Sequence, residues 1–176
     1  MPIQVIEGKF SAPDNARFVI VATRWNEFIV DRLVEGALDG LRRHGVDDAQ
    51  ITLVKVPGAF EIPVACKQLI EAGGVDAILA LGCVIRGATA HFEYVASSVT
   101  SGCSQLAVSS GIPVVFGVLT TDTIEQAVER AGTKAGNKGS EAASVAIEMV
   151  SLKAGIVARG SGTGGGASGG RSRKAR

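Results

Sequence analysis

Cysteine is scarce in this chain. The three present, Cys66, Cys83 and Cys103, follow neither a metal-ligand nor a disulfide spacing. An odd number without a framework points to a reducing compartment, and the expected location is cytoplasmic. No apolar stretch reaches the length of a membrane span. The start, Met1-Pro-Ile-Gln-Val-Ile-Glu-Gly8, has no basic region backed by a long apolar core, so no signal peptide is read there. Charge of one sign is not in excess either. The formal net charge is +1, so the whole chain is not an electrostatic binder of nucleic acid. There is no P-loop, no G-x-G-x-x-G after the first strand, and no serine in a nucleophile elbow. Carboxylates and histidines are not spaced to hold a metal.

What remains is an alternation of buried strands and amphipathic helices. Arg17-Phe-Val-Ile-Val-Ala22 is a β-branched, apolar strand. Asn26 then stands as an N-cap before a helix whose Val30, Leu33, Val34, Ala37, Leu38 and Leu41 share one face, with Gly45 as its stop. Ile51–Val56 is a second strand, broken by Pro57-Gly58. Phe60–Ile70 reads as a helix, with Pro63 tolerated in its first turn. Ala77–Leu81 is an unbroken apolar run, which suits a parallel strand covered on both faces, although periodicity alone also allows a buried helix. A helix from about His91 to Ser109 is rich in small residues, which implies close packing against another backbone. Ile112–Leu119 is the fourth strand, and Asp122 with Glu125 resembles a capping box. A short helix, a basic Gly-rich loop over 133–139, and a last helix to about Lys153 complete the fold. Four β-α units in series, with long crossovers, predict an α/β fold: a flavodoxin-like three-layer sandwich with a four-stranded parallel core sheet and a short N-terminal arm over Ile3–Phe10.

Residues 1–155 are expected to form one domain. Residues 156–176 are expected to form a flexible Gly/Ser-rich linker and basic tail. Four positive charges stand in Arg171-Ser-Arg-Lys-Ala-Arg176. They fit a solvated tail, or a weak binder of RNA or another polyanion.

The chemistry gathers at four places, three of them just after a strand. Trp25 sits in a loop, where it either stacks on a flat heterocycle or packs over the core's end. Pro57-Gly-Ala-Phe-Glu61 sets a carboxylate beside a helix start, as a polyol acceptor or as a partner of the helix dipole. Arg86-Gly-Ala-Thr-Ala-His91 joins a cation, a hydroxyl and an imidazole at a strand end and a helix start, an arrangement suited to an anion. Arg130, Lys134 and Lys138 cluster around glycines, as phosphate ligands or as a solvated loop. The set suits condensation of a planar molecule with a phosphorylated one, driven mostly by positioning.

The passages Arg24-Trp-Asn26, Pro57-Gly-Ala-Phe-Glu-Ile-Pro63, Gly82–Phe92, Phe116-Gly-Val-Leu-Thr120 and Glu125–Gly139 resemble the 6,7-dimethyl-8-ribityllumazine synthase family, with similarity over about residues 3–154. The resemblance implies a transferase of riboflavin biosynthesis. Such an enzyme condenses 5-amino-6-(D-ribitylamino)uracil with 3,4-dihydroxy-2-butanone 4-phosphate and needs neither metal nor cofactor. It implies that Trp25 stacks on the uracil, a place where many relatives have Phe. Ala59, Phe60 and Glu61 then bind the ribityl chain, Cys83, Val84 and Ile85 line the pyrimidine pocket, and Phe116 covers the ring. Arg86, Ala88, Thr89, Arg130 and Lys138 hold the butanone phosphate, with Ala88 and Thr89 closest, and His91 moves protons. Phe116, Arg130 and Lys138 are expected to come from a neighbouring subunit. A homopentamer is implied, and the compact Gly132–Gly139 segment favours an icosahedral shell of twelve pentamers, with riboflavin synthase as a possible associate. A non-catalytic flavin or lumazine carrier, a capsule for anionic cargo and a Cys83/His91 hydrolase are the other readings.

Overall fold

The computed structural model describes residues 3–162. Four parallel strands form its centre: β1 (Phe18–Thr23), β2 (Ile51–Val56), β3 (Ala77–Ile85) and β4 (Val114–Thr121), in the order β2-β1-β3-β4. β1 aligns Phe18 with both Ile51 and Ala77, and β3 aligns Ile78 with Val114. Five helices connect and cover the sheet: α1 (Glu27–Arg43), α2 (Ile62–Ala72), α3 (His91–Ser110), α4 (Ile124–Glu129) and α5 (Lys138–Gly162).

The unbroken apolar strands follow from burial on both faces, because successive side chains point to opposite sides. Phe18, Ile20, Leu79 and Leu81 enter one core with Leu33 of α1 and Ile147 of α5. Val19, Val21, Ile78 and Ala80 enter the other with Ile62 of α2 and Val99 of α3. Burying each such Leu or Ile stabilises by about 1.5–3 kcal/mol. The small residues of α3 allow close packing as expected: a Cβ on Gly102 would fall 2.6 Å from Pro63 of α2. The arm before β1 has no regular secondary structure over Ile3–Lys9 and lies along α5, with Lys9 N–H donating to Ser151 Oγ at 3.0 Å.

Several boundaries differ from the sequence reading. Ala59–Glu61 is a 3-10 turn that precedes α2. The cap of α4 is Thr123, whose side chain accepts from Gln126 N–H, so the capping residue lies one position beyond Asp122. The basic 133–139 segment is not simply a loop. Ala131–Thr133 (β5) and Gly136–Asn137 (β6) pair antiparallel around a turn. Finally, α5 continues to Gly162, nine residues past the expected Lys153. Ala154 and Ala158 favour the helix past Lys153, and Gly155 and Gly160 do not stop it. The tail over 163–176, with its polyanion reading, lies outside the described residues. Among the described residues no helix is long and apolar enough to cross a membrane.

Candidate active site

In open α/β sheets ligands bind outside the carboxyl ends of the strands, where the strand order reverses. Here β1 and β3 are neighbours in the sheet but lead to opposite faces, α1 to one and α3 to the other. A cavity of about 460 Å³ opens at their carboxyl ends. Of the residues expected from the sequence, Trp25, Ala59, Phe60, Glu61, Cys83, Val84, Ile85 and His91 all line it.

Trp25 is fixed from its own backbone. Arg24 N–H donates to Val56 O at 2.8 Å and Trp25 N–H to Pro57 O at 3.1 Å, while Thr23 Oγ1 donates to Trp25 O at 3.2 Å. The indole lies against Gly58, where a Cβ would fall 2.4 Å from Trp25 Cε3. Trp25 is 64% exposed, so the indole stays open to the cavity. Glu61 is held beneath the same corner, its Oε2 accepting from Gly58 N–H at 3.0 Å. Thus the bland reading, a carboxylate serving a helix start, holds for one oxygen. Among the described residues no donor reaches the other.

Cys83 is buried, and burial alone pushes its thiol up to about 11. At neutral pH it is a neutral wall residue, which removes the basis for a cysteine hydrolase. His91 is the first residue of α3, exposed at the cavity's rim. Just before it, the N–H groups of Gly87, Ala88 and Thr89 donate to no described residue, so they are open to water or an anion.

The other expected residues stand apart from this cavity. Arg86 lines a separate groove with Phe92 and Asp122. Phe116 is on β4 and 42% exposed. Arg130 and Lys138 are brought together: Lys138 N–H donates to Arg130 O at 3.0 Å. Arg130 Nη1 donates to Gln126 O at 2.9 Å, and Lys138 Nζ pairs with Glu141 at 2.6 Å.

Thr23, Asn26, Tyr94 and Val95 line the cavity without having been singled out as site residues. Tyr94 and Val95 follow His91 by three and four positions, which places them on its helix face. Asn26 had read as an N-cap. It does precede α1, in the left-handed region at φ 59°, but its side chain makes no capping bond. Its Nδ2 instead donates to Cys83 O at 2.8 Å, joining the ends of β1 and β3. Among the described residues no group of three or more His, Cys, Asp or Glu could hold a metal ion.

The fold and cavity define an α/β protein of flavodoxin-like architecture whose cavity, at the carboxyl ends of the strands, gathers an exposed tryptophan, a carboxylate and a rim histidine. The family model described as 6,7-dimethyl-8-ribityllumazine synthase matches residues 15–154. A protein of that name from Halorhodospira halophila (strain DSM 244 / SL1) is 56% identical over 126 residues, which are 72% of this chain and 81% of its own. The chain belongs to the 6,7-dimethyl-8-ribityllumazine synthase family.

Proposed function

We propose that this chain condenses 5-amino-6-(D-ribitylamino)uracil with 3,4-dihydroxy-2-butanone 4-phosphate, releasing 6,7-dimethyl-8-ribityllumazine, phosphate and water in riboflavin biosynthesis. The observation that carries this is the cavity at the strand-order reversal, where Trp25, Glu61 and His91 converge. Trp25 stacks on the uracil. The free oxygen of Glu61 accepts from the ribityl hydroxyls, beside Ala59 and Phe60. Cys83, Val84 and Ile85 form the wall along the pyrimidine. The butanone phosphate lies against Ala88 and Thr89, whose open N–H groups suit its charge.

The reaction runs by imine formation, phosphate elimination and ring closure. The amine attacks the ketone and one water leaves, phosphate departs with its bonding electrons, and the second nitrogen closes the ring on the remaining carbonyl with loss of a second water. His91 takes and returns protons at these steps. Holding two reactants together supplies most of the acceleration, and no metal or organic cofactor takes part. Arg130 and Lys138 are joined through their backbones outside the cavity, which suits service to the phosphate in a neighbouring copy, with Phe116 covering that copy's ring. The assembly is then a pentamer, or a shell of twelve pentamers, in the cytoplasm.

The test mixes both substrates with purified protein and follows lumazine fluorescence and released phosphate together. Equal amounts of both, lost in His91→Ala, are expected. Binding of the ribitylaminouracil without phosphate release, in assembled protein, would instead identify a carrier.

A further inference from the structure

Arg86 directly follows β3, and its bonds run to three places. Its N–H donates to Thr121 O at 2.9 Å, extending the β3–β4 pairing by one residue. Its Nε donates to Asp122 Oδ1 at 2.7 Å, and its Nη1 donates to Glu93. The guanidinium carbon sits 4.2 Å from the centre of the Phe92 ring. Asp122 lies just past β4, and Phe92 and Glu93 are the second and third residues of α3. One planar group therefore ties together the end of β3, the first turn of α3 and the turn after β4. The Gly87–Ala90 segment and His91 lie between two of those ties.

The charge arrangement argues against a phosphate at this guanidinium. Two carboxylates on one cation leave the trio with a net negative charge. The hydrogen bond from Arg86 holds the Glu93 carboxyl below its ordinary range, so it is ionised at neutral pH. A phosphate brought to Arg86 would have to displace or face both carboxylates. The fork geometry of arginine is satisfied by carboxylates and an aromatic face, a combination that fixes orientation. By contrast, the N–H groups of Gly87, Ala88 and Thr89 stand open beside His91.

We propose that Arg86 is a positioning residue: a clamp that sets His91 and the Gly87–Thr89 backbone against the cavity, and not a ligand of the substrate phosphate. This rests on the reaction proposed above. A misplacement of about 1 Å in a reacting group can cost ~10²-fold in rate, so loosening the clamp acts on turnover more than on binding.

The experiment compares full-length wild type with Arg86→Ala, Arg86→Lys and the double variant Glu93→Gln/Asp122→Asn, which keeps the arginine. Steady-state rates are measured against both substrates, and inorganic phosphate serves as a competing anion. All three variants are expected to lose roughly ten- to a hundredfold in kcat, with KM for the butanone phosphate and inhibition by phosphate within about twofold of wild type. Lysine fails to rescue because it brings charge without the fork. A rise of roughly tenfold in both KM and the phosphate inhibition constant in Arg86→Ala, with kcat retained, would overturn the proposal, as would wild-type rates in the double variant. Should Arg86→Ala not fold, the double variant decides by the same criteria. Hydrogen exchange at the Arg86 amide, which is bonded to Thr121 O, and at the amides that close the first turn of α3, read by mass spectrometry, reports the clamp without turnover. It quickens in the double variant if the clamp is real, and unchanged exchange counts against it. An inactive wild type whose variants still show that quickening would instead refute the proposed reaction.

Discussion

Asn26 shows how far a residue can be read from sequence and where the reading stops. Its place before α1 was legible as a cap, and asparagine is among the few side chains that tolerate its left-handed backbone. The acceptor it meets, Cys83 O, lies 57 positions away, and no local pattern encodes that contact. Asn26→Gly keeps the backbone freedom and removes the amide, leaving a part-buried carbonyl without its partner. A penalty of about 1 kcal/mol or more is expected, appearing as a roughly fivefold higher KM for the ribitylaminouracil and a lower melting temperature. His91→Ala should slow turnover by roughly ten- to a thousandfold in the coupled fluorescence and phosphate assay, since general acid–base help is typically worth ~10²–10⁴ and the uncatalysed condensation softens the loss. Cys83 makes a contrasting case. With its thiol raised to about 11, it should resist iodoacetamide at neutral pH in native protein, and Cys83→Ser should keep most of the activity. Labelling followed by peptide mass spectrometry checks the first, and the same rate assay the second.

The elements were legible where their pattern is dictated by burial. The apolar runs of β1 and β3 and the one-sided face of α1 each answer to the core they enter, and a chain this regular leaves few alternatives for their order. The β5–β6 hairpin was not legible, because two very short strands carry no periodicity, and its glycines read equally as a loop. The last helix was cut short for a related reason: glycine lowers helix propensity but does not forbid continuation. The first turn of α3 carries a pH signature that sequence did not reveal. Glu93's carboxyl is depressed by its bond to Arg86. The contribution of that pair is fully present above the free glutamate value of about 4.3 and is lost as pH falls through the depressed folded-state value. Acid titration of the melting temperature should therefore be less steep in Glu93→Gln than in wild type across that window.

At the scale of the whole molecule, the cavity holds eight of the expected contacts, while Phe116, Arg130 and Lys138 stand elsewhere on the surface. If a neighbouring copy supplies them, two crippled variants can repair one another. Co-assembling His91→Ala with Arg130→Ala in equal amounts should restore about a quarter of the sites, because each site then draws independently on two kinds of subunit. Activity no higher than that of either variant alone would mean that each chain carries its own complete site. Size-exclusion with light scattering separates a pentamer from the twelve-pentamer shell. The strand order has a further consequence, one that concerns the chain as it is synthesised. β1 lies inside the sheet between β2 and β3, and the core on one of its faces is sealed by Ile147 and its neighbours on α5. Every pairing in the main sheet is parallel and long-range, the topology that folds slowly. A growing chain that has reached β4 already exposes Phe18, Ile20, Leu79 and Leu81, with nothing yet made to cover them beyond α1. Apolar surface exposed in this way is aggregation-prone until the closing helix emerges. The segment that finishes the fold is thus translated after all four strands of the main sheet, and a nascent chain halted before Lys138 should be captured by chaperones rather than released native.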